Sequence, residues 1–256
     1  MQIEVSRQSP VAVQADALVV PLAELSAVPR ELRALDEALG GALGQWIGTA
    51  QFEGKSGQLV AFPAPEGVRS RRVLLVGLGK EVDAEALRSA AARAVRELRR
   101  AKLARAALRI PTLRRPAPED VAQALAEGAL LGHYRFDKYK TADDLPPEVS
   151  ALELLASDAR HLAAARRGAR TGCVIAESAN LARDLSNEPG GVATPEHLAD
   201  QARAIAREVG LRVSVFAERE LRAHKMGGIL AVGRGSANPP RLIVLEHGRP
   251  ARSARR

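Results

Sequence analysis

Residues 72–98 constrain the fold most tightly. Residues 72–76 (RVLLV) make an apolar run of strand length that leads into Gly77-Leu78-Gly79. Asp83 then stands as a helix N-cap ahead of Leu87, Ala91, Ala94, Val95 and Leu98, which recur at helical spacing on one face. A strand, a glycine turn and an amphipathic helix are half of a βαβ unit, and such units stack into a sheet with helices against it. The flanks continue the pattern. Ile3 and Val5 alternate with polar neighbours, and residues 17–20 and 59–62 are short apolar runs ended by Pro21 and Pro63. Leu108 and Ile110 mark a further strand, Val121, Leu125 and Ala129 a further helix, and Leu152, Leu154 and Leu155 a last strand. The expected class is α/β over roughly the first 150 residues. The turn at Gly77 and Gly79 is a candidate phosphate cradle on the following helix, but residues 80–83 bring two carboxylates to that place, which favours a purely structural turn.

Charge raises a second possibility. The chain carries a formal net charge of +8 and a sequence pI near 10.3, and 32 of its 38 basic residues are arginine. Between Arg88 and Arg115 there are ten basic residues and one acid, Glu97. Arg93, Arg96 and Arg100 fall on one face of the expected helix, where they are placed to track a nucleic-acid phosphate backbone. No aromatic interrupts the run, so base stacking is not indicated. The arginine-rich residues 248–256 are expected to form a disordered basic tail. The single cysteine, Cys173, excludes an internal disulfide and fits a reducing compartment. With neither a signal-peptide pattern nor an apolar run of membrane-spanning length, the expectation is a soluble, cytoplasmic protein with no membrane partner.

In the second half, residues 127–141 gather Tyr134, Phe136 and Tyr139 beside His133, an aromatic patch that suits packing between domains. The acidic, proline-rich residues 142–148 follow as a linker. A long helix from Asp158 passes Val174, Ser178, Leu181, Ala182 and Leu185 and ends at Glu188-Pro189, where proline breaks it. Cys173 lies beside that face as a buried thiol without an evident base. Asp184 and Glu188 stand four residues apart and are best explained by solvation and helix ending rather than metal binding. Thr194 caps the next helix, with Pro195 at its first position and Glu196 on the positive end of its dipole. Residues 212–217 read as a strand, 218–224 as a helix and 241–246 (RLIVLE) as a buried strand, which suggests a parallel βαβ arrangement.

Several ordered motifs together carry a resemblance: FEGKSGQLVAFP, RRVLLVGLGK, EGALLGHYRFDKYK, NLARDLSNEP, the TPEHLA helix start and MGGILAVGRGSANPPRLIVLE. The chain resembles the leucyl aminopeptidase (cytosol aminopeptidase) family up to about His247. The resemblance implies a macro-like N-terminal α/β domain, here residues 1–150, followed by an α/β catalytic domain, here residues 151–256 and incomplete. It also implies a cytoplasmic homo-hexamer that removes N-terminal residues from peptides with two divalent ions, zinc or manganese. The family's metal-ligand and catalytic motifs, similar to GKGxTFDSGG and NTDAEGR, do not occur in these 256 residues. No catalytic, cofactor-binding or metal-ligating residue is therefore assigned, and the chain reads as truncated or frameshifted and inactive by itself. Strand 241–246 is expected to lack sheet partners. The alternatives are a DNA-binding module using Arg93, Arg96 and Arg100, and a nucleotide binder around Gly77 and Gly79.

Overall fold

The computed structural model describes residues 1–49, 51–141, 145 and 147–248. The chain forms two compact units, Met1–Leu181 and the residues from Ala182 onward. Residues 151–155, just past the expected boundary at residue 150, pair into the first unit's sheet.

That sheet has six strands: β1 (Gln2–Ser6), β2 (Ala17–Ala23), β3 (Leu59–Pro63), β4 (Arg72–Gly79), β5 (Arg105–Arg109) and β6 (Ala151–Leu155). Their spatial order is β1-β6-β5-β2-β4-β3, with every pairing parallel except β3 against β4. Central parallel strands are covered on both faces, which is why β2 and β4 read as continuous apolar runs. Val19, Val20, Leu75 and Val76 have no measurable exposure.

On one face lie α3 (Ala84–Arg100), α4 (Pro118–His133) and the first part of α5 (Ala159–Asn187). Asp83 caps α3 by accepting a hydrogen bond from the Ala86 amide at 2.8 Å, as expected from the sequence. Glycines set the helix spacing. A methyl placed on Gly128 of α4 would meet the Arg88 carbonyl oxygen at 2.1 Å, and one on Gly168 of α5 would meet the Glu119 carbonyl oxygen at 1.9 Å. Between α3 and α4, buried Glu127 accepts from the Arg88 guanidinium and from Gln123 Nε2 at 2.7 Å. On the other face a short 3-10 turn (Arg30–Leu32), α1 (Arg33–Ala38) and α2 (Ala42–Gly48) bury Leu32, Leu35, Leu43 and Ile47 against the sheet.

Two local expectations are corrected here. Pro21 does not end β2, which continues to Ala23. The pairing of β2 with β5 stops at Val19, so beyond it one side of β2 makes no ladder bonds, and a residue without an N–H is tolerated there. Gly77 and Gly79 are not a free turn either. They lie inside β4 and admit the backbone of residues 54–56, since a methyl on Gly77 would fall 2.0 Å from the Lys55 carbonyl oxygen. The candidate cradle is filled by the chain itself.

In the second unit Thr194 Oγ1 caps α6 (Pro195–Val209) by accepting from the His197 amide at 3.2 Å, and Gly210 ends it in the left-handed region at φ 73°. β7 (Arg212–Phe216), α7 (Glu218–Ala223), α8 (Gly227–Gly233) and β8 (Leu242–Glu246) follow. β8 pairs antiparallel with β7, with Arg212 opposite Glu246 and Phe216 opposite Leu242. The expected parallel arrangement and the expected lack of a sheet partner are both overturned. A parallel return needs one long crossover, whereas two short helices joined through Lys225 at φ 54° return the chain alongside β7. Glu196 accepts from Arg241 at 2.6 Å and from Arg203 at 2.9 Å, tying α6 to the entry of β8. The expected linker residues 142–144 and 146, and the expected tail beyond Gly248, lie outside the described residues.

Candidate functional site

The arginines of α3 divide by face. Arg88 turns inward to Glu127, whose carboxylate raises the guanidinium pKa further. Arg99 donates to the His133 carbonyl oxygen at 3.4 Å. Arg93, Arg96 and Arg100 all remain exposed on one side of the helix, as the sequence spacing predicted. The Arg93 guanidinium lies over Gly57, and Arg100 is paired with Glu97 at 3.1 Å. Seven residues at a helical rise of about 1.5 Å put Arg93 and Arg100 about 10 Å apart along the axis. The face offers separated positive charges without a pocket or an aromatic platform. Three exposed guanidinium groups so spaced carry positive charge but give no surface for base stacking.

The other singled-out residues are not brought together. Cys173 is half-buried on α5, where burial pushes its thiol pKa up, so it has the character of a packed thiol rather than a nucleophile. His133 ends α4 half-buried, its pKa lowered by desolvation, and its Nδ1 is enclosed without a partner. Asp184 and Glu188 are joined through their backbones, Glu188 N–H donating to the Asp184 carbonyl at 3.1 Å, and both side chains are half-buried. Among the described residues no three His, Cys, Asp or Glu side chains converge closely enough to hold a metal ion. Two shallow grooves of about 570 and 550 Å³ share Gln14, Ala15, Arg105 and Glu153. A third, of about 520 Å³, lies along α7 and α8 with Arg222 and Arg234 in its wall. One residue was counted in the basic run but not singled out by sequence: Arg109, at the end of β5, is only 6 % exposed.

Two family models match in chain order. The N-terminal domain model of the cytosol aminopeptidase family covers residues 19–143, and that family's catalytic domain model covers residues 180–256. This chain belongs to the cytosol aminopeptidase family. As a cytosol aminopeptidase family member it is 38 % identical over 252 residues to a probable cytosol aminopeptidase of Syntrophotalea carbinolica, an alignment covering 96 % of this chain and 51 % of the relative. It is 41 % identical to a probable cytosol aminopeptidase of Roseiflexus castenholzii, covering 97 % of this chain and 49 % of the relative. Among solved structures, the bottromycin maturation enzyme BotP in complex with Mn superposes with a TM-score of 0.71 at 32 % identity, over 92 % of this chain and 46 % of that one. A mutant of tomato leucine aminopeptidase superposes with a TM-score of 0.81 over 96 % of this chain and 50 % of that one; at 24 % identity it supports the fold alone.

The chain thus spans about half the length of the curated relatives it matches. The catalytic-domain match begins at residue 180, beside the division between the two compact units at Leu181 and Ala182. It runs through Arg256, across the arginine-rich end that sequence alone set apart from the family pattern.

Proposed function

We propose that this chain supplies the N-terminal α/β domain and the opening part of the catalytic domain of a metal-dependent aminopeptidase, and that by itself it does not hydrolyse peptides. The ordered pair of family matches on either side of residue 180 carries the reading. Aminopeptidase chemistry of this kind uses metal ions to activate a water and polarise the scissile carbonyl. The described residues do not fit such ions, since no trio of ligating side chains converges among them. Their contribution is structural: the six-stranded sheet, the long helix α5 and the first strands of the second unit. Peptides with a free N-terminus, zinc or manganese, and hexameric assembly belong to the same reading, as properties of a longer chain. The test is release of p-nitroaniline from leucyl p-nitroanilide with added Mn²⁺ or Zn²⁺. Rates equal to the metal-only blank are expected, and turnover above the blank overturns the proposal.

A second reading rests on the exposed arginine face of α3. We propose that Arg93, Arg96 and Arg100 contact a DNA phosphate backbone. Gel shifts across a salt series are expected to show a steep dependence that flattens by about three in log–log slope when all three are changed to alanine. An unchanged slope removes α3 from any DNA contact.

A further inference from the structure

In an open α/β sheet, a ligand crevice forms at the carboxyl ends of two adjacent strands whose onward connections run in opposite directions. β2 and β5 are such a pair. The chain leaves β2 for the edge strand β3, beyond β4, on one side and leaves β5 for β6 on the other, and the β2–β5 ladder ends at Val19 opposite Leu108. From there β2 continues beside β4 alone, and β5 stays with β6. The next residue of β5 is Arg109.

Arg109 shares its side of the sheet with Ala107, and its register partner on β6 is Leu155; both belong to the apolar layer beneath α1 and α2. It is 6 % exposed, the most deeply buried arginine among the described residues. No carboxylate or other acceptor among the described residues lies within hydrogen-bonding or ion-pair distance of its guanidinium. Glu31, on the 3-10 turn, is the one acid close enough to act on it through space, and it points into solvent. Burial pushes the Arg109 pKa down, but a guanidinium remains charged in protein surroundings. A buried cation without a counter-charge is costly, and proteins hold one where an anion is to be met. The guanidinium nitrogens are not fully enclosed, so the charged end is reachable from solvent.

We propose that Arg109 anchors an anion site at the β2–β5 switch point, which takes a small oxyanion, a phosphate or carboxylate group, in the planar fork of its guanidinium. Arg109 lies in the apolar layer on the face of the sheet opposite to the one α3 covers, so this site is separate from the α3 face. It is independent of the aminopeptidase reading, since neither test uses the other's readout.

The experiment titrates the 256-residue chain with inorganic phosphate and, in a second arm, with acetate, at constant ionic strength, by calorimetry. Saturable one-to-one binding is expected in at least one arm, and the arm in which it is tighter identifies the ligand class. R109M is expected to weaken binding at least ten-fold, about 1.4 kcal/mol, with a melting temperature equal to or above that of the parent. R109K, which keeps the charge and loses the fork, is expected to fall between them and serves if R109M does not fold. E31Q is expected to bind as tightly as the parent or more so, because a competing carboxylate is gone. Absence of saturable binding in both arms, or equal binding by R109M and the parent, overturns the proposal. So does loss of stability in E31Q without binding in the parent, which makes Glu31 the partner of Arg109.

Discussion

Glu127 shows how one buried carboxylate holds two helices. It is 3 % exposed and accepts from Arg88 across the α3–α4 contact and from Gln123 one turn back on its own helix. Glu127→Ala removes a charge-assisted hydrogen bond and leaves the Arg88 guanidinium, itself only partly exposed, with the exposed Glu85 carboxylate at 3.5 Å as its remaining partner. A loss of about 2–3 kcal/mol in urea denaturation is expected. His133 gives a pH prediction. Its folded-state pKa lies below the ordinary 6.5 because burial disfavours the imidazolium. The unfolded chain therefore takes up that proton first. The neutral-histidine contribution to stability is fully present above 6.5 and is lost as pH falls through and below it. H133Q is expected to flatten the acid side of the stability profile, and an unchanged slope would place the acid sensitivity elsewhere.

At the scale of elements, close helix packing has a measurable sign. An exposed mid-helix glycine replaced by alanine gains about 1 kcal/mol from propensity. Gly128→Ala and Gly168→Ala should do the opposite, losing about 1–3 kcal/mol, because the new methyl meets backbone oxygen at 2.1 and 1.9 Å and the helices must part. Gly190→Ala, where nothing lies within 4 Å, is the neutral control. The legibility of elements follows from the same physics. α3 was readable because Leu87, Ala91, Ala94, Val95 and Leu98 repeat on one buried face behind an Asp cap. The stretch containing α1 and α2 was not, because Gly40 and Gly41 at φ 65° and 79° cut it into pieces too short for a period to register. The direction of β8 was misjudged because α7 and α8 are each short, and no local signal tells a returning pair of helices from a crossover. Arg109 was hidden for a related reason. Its residue type says surface, and only the six-stranded order places it in the interior.

For the whole molecule, the two units differ in how much they bury. The first encloses apolar clusters on both faces of its sheet. Among the described residues from Ala182 onward, only Ala199, Ala202, Ala206 and Leu221 are buried hydrophobics. So small a core supports little stability, while β8 presents Val244 and Leu245 at 36 % and 44 % exposure. Limited proteolysis is expected to remove material after about Leu181 first and leave the six-stranded unit intact. Equal protection of both halves would contradict it.

Cys173 turns that contrast into a clock. It is the single thiol in the chain, half-buried on α5 where that helix packs beside the first unit's core. Its partial burial slows a thiol reagent, and with one thiol present the labelling in excess reagent should follow one exponential. The rate of that exponential, set against that of the unfolded chain, reports how far α5 shields its own sulfur, without any engineered probe.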